Sequence, residues 1–343
     1  MTTPPDNRFQ TRPSRTDDEI RPVLAAYGPS LTLLSAEYLD GAGGFSGARL
    51  WRLTTSTGQL CLRGWPTEHP TPERLTWIHS VLRAAAANGF PRVPVPLTAT
   101  NGATWVRHDG TLWELAPWLA GKADYSSRPS PRRLSEATQA LAEFHRSVEG
   151  LGGRIAAPSP GIKRRVQQLG ELVNGDFARL ADAVSAFSCP PLDDAARRIL
   201  SIFPRLAEPT LQTLRLAAMQ TVELQPVIRD IWHDHVLFGV DQVSGIVDFG
   251  AMQVDSVSGD IARLLGSLVA DDTAGWQIGL TAYESIRPLS REEHGLLKAF
   301  DRSGVLLGAI NWLTWIYLQR REFSDLPAIR IRLEASISRL ECF

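Results

Sequence analysis

The run VIRDIWHDHVLFGVDQVSGIVDFG, residues 227–250, constrains this chain more than any other feature. Two strand-like stretches, 236–238 and 244–247, flank a turn containing Gly239 and Asp241, so the run reads as a short polar loop followed by a β-hairpin. Asp230 precedes the loop, and Asp248 leaves the second strand eighteen positions later. Phosphoryl transfer needs one carboxylate to orient or deprotonate an acceptor hydroxyl and a further oxygen ligand to hold magnesium on the phosphates. Two aspartates on one pinned hairpin supply that pair.

The rest of the chain divides around this segment. Residues 1–20 carry Pro, Thr, Asp and Arg without an apolar core and read as a loose tail, not a signal peptide. Strand-like stretches between 31 and 63 surround the glycine cluster GAGGFSG and predict an antiparallel meander. Thr71-Pro72, the apolar positions Leu75, Ile78, Leu82 and Ala85, and the stop at Gly89 predict a helix. Asp109-Gly110 predicts a hairpin over 103–116. From Ser130-Pro131 onward the pattern turns helical, with a stripe at Ala137, Leu141, Phe144 and Val148 and further helical segments between 161 and 222. Helices resume at Gly259-Asp260 after the hairpin, and a capping box of Ser290 and Glu293 opens a last helical stretch to about Arg321. The expected fold class is α+β in two lobes. Residues 21–117 form a small antiparallel β lobe with one helix, residues 118–343 a larger, mainly helical lobe, and the cleft between unequal lobes is a natural ligand site.

Composition narrows the function. With 36 basic and 37 acidic residues there is no electrostatic reason to expect nucleic acid or an anionic membrane as partner. Cys61, Cys189 and Cys342 are odd in number and scattered, which builds neither a disulfide framework nor a zinc site and fits a reducing cytoplasm. No run of about eighteen apolar residues is free of charge, so no membrane span is expected. Gly41, Gly43, Gly44 and Gly47 lie between strand-like stretches, where glycine lets backbone amides approach phosphate oxygens, although a tight hairpin turn would look the same.

With its Asp230-to-Asp248 spacing and the triplet Asp248-Phe249-Gly250, the chain resembles the aminoglycoside phosphotransferase and choline kinase group of the protein-kinase-like superfamily. The resemblance implies that Asp230 is the catalytic base, Asp248 the principal metal ligand, and Asp260 in GDIARLL a structural aspartate behind the catalytic loop. His235 occupies the position of the family's second, metal-binding asparagine. The resemblance further implies that Gly43, Gly44, Ser46 and Gly47 cradle phosphates, that Arg63 replaces the phosphate-holding lysine, and that backbone groups from Glu114 to Ala116 meet adenine. Trp232 falls where a loop histidine meets the acceptor, and Trp312 and Trp315 lie in the region that lines the acceptor pocket. The implied cofactors are ATP and Mg2+, and the implied partner is a small molecule with a hydroxyl group. A smaller metabolite, such as an amino alcohol, a sugar or a homoserine-like compound, ranks ahead of a polycationic antibiotic.

Three departures leave a second reading open, that of a nucleotide-binding pseudokinase with a regulatory or scaffolding role. Ile228 stands where the family has a histidine, His235 replaces asparagine, and the helix glutamate that orients the phosphate-holding cation is absent near Ile78 and His79. Trp232-His233-Asp234-His235 also suits a zinc or manganese site, against the plainer reading of hydrogen-bonding histidines. The i, i+3 pair Trp312 and Trp315 is read as core packing as readily as a ligand wall. His145 and His294 have no obvious partners and are read as structural or solvent-facing.

Overall fold

The structure, a computed structural model, describes residues 15–39, 47–323 and 325–343. The chain forms two compact units, one of Met1–Ala87 with Pro91–Leu119 and one of Asn88–Phe90 with Ala120–Phe343.

In the first unit, β1 (Leu33–Tyr38), β2 (Arg49–Thr55) and β3 (Gly58–Gly64) pair antiparallel. The hairpin β4 (Val106–His108) and β5 (Thr111–Pro117) joins through β5, giving the order β1-β2-β3-β5-β4. Its turn residues Asp109 and Gly110 have φ of 48° and 76°, the backbone twist that a two-residue hairpin turn requires. Apolar residues buried on one face, among them Trp51, Leu53, Leu62 and Leu115, pack round Trp113, whose ring centroid is 5.3 Å from that of Trp51. Helix α2 (Pro72–Ala87) buries Leu75, Ile78, His79 and Leu82. The sequence reading assigns 15–20 to a tail, whereas α1 (Arg15–Ala25) begins there, with Ile20, Val23 and Leu24 buried. A charged first turn hides the helical spacing of those three residues.

The second unit opens with Gly121, at φ 126°, beside a two-way backbone bridge between Lys122 and Phe238, each N–H donating over 2.9 Å to the other's carbonyl. Helix α3 (Pro131–Ser147) is capped by Ser130, whose hydroxyl accepts from Arg133 N at 3.2 Å. The helical segments expected between 161 and 222 are α4 (Pro160–Glu171), α5 (Phe177–Ala186) and α6 (Asp193–Ala217). Around them, β6 (Ile155–Ala157), β7 (Val222–Val227) and β10 (Gln253–Asp255) form a small antiparallel sheet in the order β10-β7-β6. Three-residue strands are too short to carry a readable alternation, which is why the flanking strands were not expected. The hairpin consists of β8 (Val236–Phe238) and β9 (Val243–Ile246), followed by α7 (Ser258–Val269), α8 (Thr273–Glu284) and α9 (Arg291–Leu313), the last with the expected capping box. A further helix, α10 (Leu326–Glu341), lies beyond the predicted end at Arg321 and buries Ile329, Leu333, Ile337 and Leu340. These join Phe203, Leu214, Leu296, Phe300 and Leu313 in one large core. No helix among the described residues is long and apolar enough to cross a membrane.

Gly121 has no room for a side chain. An added Cβ would stand 2.8 Å from the Phe238 carbonyl and closer still to Ser244 Oγ, at a φ that L-residues rarely adopt. Gly121→Ala is therefore expected to cost about 1–3 kcal/mol of stability, read as a lowered thermal midpoint.

Candidate active site

The loop that leaves β7 and the segment that leaves β9 are each built on strained backbone. Arg229 and Asp248 have φ of 71° and 65°, a left-handed conformation that costs a non-glycine residue energy and needs surrounding contacts to hold it. For the first of them the contact is clear. Asp260, fully buried near the start of α7, accepts the backbone N–H groups of Ile228 and Arg229, each at 2.6 Å. Its Oδ2 also meets His145 Nε2 at 3.1 Å, and His145 Nδ1 lies 2.8 Å from the Tyr283 hydroxyl. With Asp260 ionised, Nε2 carries the imidazole proton and donates it, leaving Nδ1 to accept from Tyr283. His145, read from sequence as partnerless, thus stands behind the aspartate that fixes the loop.

Asp230 projects from this loop with its side chain 55% exposed, and its Oδ1 accepts from Arg263 Nη2 of α7 at 3.1 Å. Asp248 is 42% exposed, with Oδ2 3.5 Å from His235 Nε2. His235 joins the two acidic positions. Its Nδ1 lies 2.8 Å from the Asp230 carbonyl, and its Nε2 accepts the Trp232 indole N–H at 2.9 Å. A carbonyl can only accept, so the proton sits on Nδ1 and the Nε2 lone pair faces Trp232.

This geometry bears on the metal. Asp248 offers hard carboxylate oxygens, and magnesium takes only one or two carboxylates beside its phosphates and waters, so Asp248 fits it. His235, expected as the second metal ligand, directs its only lone pair at an indole proton and acts as a hydrogen-bonded strut. The histidines do not converge for zinc or manganese either. His233 Nδ1 lies 3.2 Å from the Ser267 carbonyl and its Nε2 3.5 Å from Asp234, and no group of three or more His, Cys, Asp or Glu residues suited to a metal occurs among the described residues.

In the first unit, the missing helix glutamate has a substitute. Arg63 on β3 stands opposite Glu114 on β5, with Nε 3.8 Å from Oε1, and its guanidinium stacks 4.7 Å from the Trp65 ring centroid. The helix contributes His79 instead, 2% exposed, with Nε2 2.7 Å from Glu114 Oε2 and Nδ1 2.7 Å from Thr104 Oγ1. Burial alone would raise the Glu114 carboxyl; the hydrogen bond and charge of His79, with Arg63 behind them, hold it below the usual carboxylate range.

The strand register corrects the expected adenine contacts. Trp118 N donates to Gln59 O and Trp65 N to Leu112 O, so the alternation turns the backbone groups of Glu114 and Ala116 toward β3. Leu115 and Pro117 face the other edge, where the Leu115 carbonyl accepts from Leu97 N at 2.7 Å. Of the glycine-loop positions, Gly43, Gly44 and Ser46 lie outside the described residues. Gly47 has φ 76°, a conformation suited to glycine.

Among the tryptophans, Trp232 sits at the site, its face covered by the Arg332 guanidinium of α10 at 4.3 Å. Trp312 and Trp315, both half-buried, pack edge-to-face at 5.1 Å; Trp312 also meets Phe323 at 5.6 Å and lies against the large core, while the Arg321 guanidinium stands 5.3 Å over the Trp315 ring. Arg263, Arg332 and the His79–Glu114 pair escaped sequence reasoning. Only Arg263, one helical turn after Asp260, had a signal that could have found it.

Burial pushes the His145 imidazole below its ordinary value, against the opposing pull of Asp260. The folded protein therefore refuses a proton that the unfolded ring binds as the pH falls through about 6.5. Stability contributed by the neutral ring is complete above that pH and is lost on acidification. His145→Gln is expected to flatten this part of the thermal-midpoint profile between about pH 8 and 5.5; an unchanged slope would remove His145 from that role.

Residues 40–296 match the family model described as the phosphotransferase enzyme family. The homoserine kinase of Beijerinckia indica subsp. indica is 28% identical over 186 residues, 49% of this chain and 56% of that protein, so the match spans little more than half of the relative. The homoserine kinase of Rhodospirillum rubrum is 27% identical over 247 residues, covering 68% of this chain and 67% of the relative. A spectinomycin phosphotransferase solved with ADP and spectinomycin shares the fold, with a TM-score of 0.63 at 11% identity over 96% of this chain and 98% of that one. The fold is thus α+β and kinase-like, with a small antiparallel sheet in one unit and a larger helical part in the other, and the chain belongs to the phosphotransferase enzyme family.

Proposed function

We propose that the protein transfers the γ-phosphate of ATP to a hydroxyl group of a small molecule in the cytoplasm. One observation carries the reading: His235 is bonded to the backbone of Asp230 and lies 3.5 Å from the carboxylate of Asp248, which supports an exposed centre shared by both aspartates. Asp230 orients the acceptor hydroxyl and takes its proton. The oxygen–phosphorus bond to the acceptor forms as the bond to the β–γ bridging oxygen breaks, and ADP leaves. Magnesium held by Asp248 supplies charge neutralisation on the phosphates when bound. Arg63, kept in place by Glu114 and His79, serves the α- and β-phosphates, together with backbone amides at Gly47 and its neighbours. The homoserine kinases among the relatives support an acceptor the size of an amino acid.

A coupled assay of ADP release with a panel of hydroxyl compounds tests this. Removing a positioned base costs on the order of a hundredfold to ten-thousandfold, so Asp230→Asn is expected to lose transfer by that factor with nucleotide binding intact. Equal turnover in both proteins would refute the role of Asp230. Stable nucleotide binding without transfer to any acceptor would favour the second reading, a nucleotide-binding pseudokinase. His79→Ala is expected to raise the KM for ATP roughly tenfold with a smaller change in kcat, because a loosened Glu114 no longer fixes Arg63.

A further inference from the structure

The surroundings of Asp230 within the second unit are rich in guanidinium groups from separate elements. Arg263 of α7 donates to Asp230 itself, and Arg332 of α10 lies flat on Trp232, two residues along the same loop. Arg165 of α4, stacked 4.7 Å from the Phe300 ring centroid, feels the charges of Arg229 and Arg263. Burial pushes Arg165 down to about 10 against the opposing charge of Asp255, with these like charges adding to the fall, and burial likewise lowers Arg332. Acidic groups face these arginines too: Asp234, Asp230 and Asp325 oppose the lowering of Arg332, and Asp255 that of Arg165. Asp325 caps α10 by accepting from Ala328 N at 2.8 Å; Asp255, buried, accepts from the Ser159 hydroxyl at 2.5 Å and from Ser256 N at 2.8 Å. Asp234 stands 3.5 Å from His233 Nε2.

Planar guanidinium forks recognise carboxylate and phosphate, and a stacked arginine is already oriented to do so. They repel cations. We propose that Arg332 and Arg263 hold an anionic group of the acceptor, which makes the acceptor a small hydroxyl-bearing acid. The proposal rests on the phosphotransferase reading and names the substrate class of that same site. Arg263 donates to the carboxylate that receives the hydroxyl, and Arg332 covers Trp232 two residues along the same loop, so the acid group would lie on the loop that carries Asp230. The acid group is a carboxylate or a phosphate, and in either case its charge is what the arginines select.

Calorimetric binding and phosphate transfer, measured on the full chain, test this with four probes: L-homoserine, its methyl ester, glycerol 3-phosphate and 1-amino-2-propanol. One of the two acids is expected to bind and turn over, and homoserine to lose at least tenfold on esterification if the carboxylate is the group held. Arg332→Gln should raise the KM for that acid roughly tenfold to a hundredfold, with kcat within a few-fold and the KM for ATP unchanged. Arg332→Lys should recover part of the loss. Thermal midpoints of both variants establish that they fold, and the lysine variant, which keeps the charge, decides the matter if the glutamine variant does not. Preference for the amino alcohol, binding of neither acid, or a KM for the acid that ignores both substitutions would overturn the proposal. Binding of an acid that is lost in Arg332→Gln but never followed by phosphorylation would leave the anion site standing and overturn the transfer reading instead.

Discussion

One buried carboxylate supports the rest of the site. Asp260 accepts two consecutive backbone N–H groups at 2.6 Å each, and those groups belong to the residues just before Asp230. Holding Arg229 in a left-handed conformation costs on the order of 1–3 kcal/mol. Two charge-assisted hydrogen bonds contribute about 1.5–3 kcal/mol apiece, enough to offset it. The result is a loop that presents an exposed carboxylate from a rigid base, with His145 and Tyr283 fixing the orientation of Asp260 from behind. Without that anchor, Asp230 would be an aspartate in a flexible turn.

Two residue changes that look like losses along the sequence are compensated in space. Where an asparagine is expected, His235 bonds the Asp230 backbone and lies 3.5 Å from the Asp248 side chain, and Trp232 fixes its ring by donating to Nε2. Where a helix glutamate is expected, the neighbouring strand supplies Glu114 directly across from Arg63, while the helix supplies His79 to hold that glutamate. In the first place a histidine holds the loop backbone at Asp230; in the second a histidine holds an acidic side chain through a short hydrogen bond. Beside Arg63 an acidic partner is kept while the element that provides it changes, which is why position-by-position comparison with the family registers an absence there.

The fold was largely legible because its signals are local. The proline at the start of α2, the Asp109-Gly110 turn and the Ser290–Glu293 capping box each act within four residues, and all three form as expected. The spacing of Asp230 and Asp248 is likewise carried by one hairpin. What escaped was either too short or too distant. The three-residue strands β6 and β10 have no period to detect, and the charged opening of α1 masks its apolar face. Helix α10 was readable from Ile329, Leu333 and Ile337, one turn apart, but lies past the helical stretch expected to end near Arg321. Glu114 reaches Arg63, and Arg332 reaches Trp232, only through strand pairing and helix packing that no spacing along the chain encodes.

The convergence of positions 230 and 248 on one reacting centre is tested most directly by a double-mutant cycle in single-turnover transfer. Asp230→Asn, Asp248→Asn and the combined variant would be measured with the same acceptor. Groups that act as a unit are strongly non-additive, so the double variant should be scarcely slower than the worse of the two single ones. Losses that simply multiply would show two independent carboxylates and contradict a shared centre.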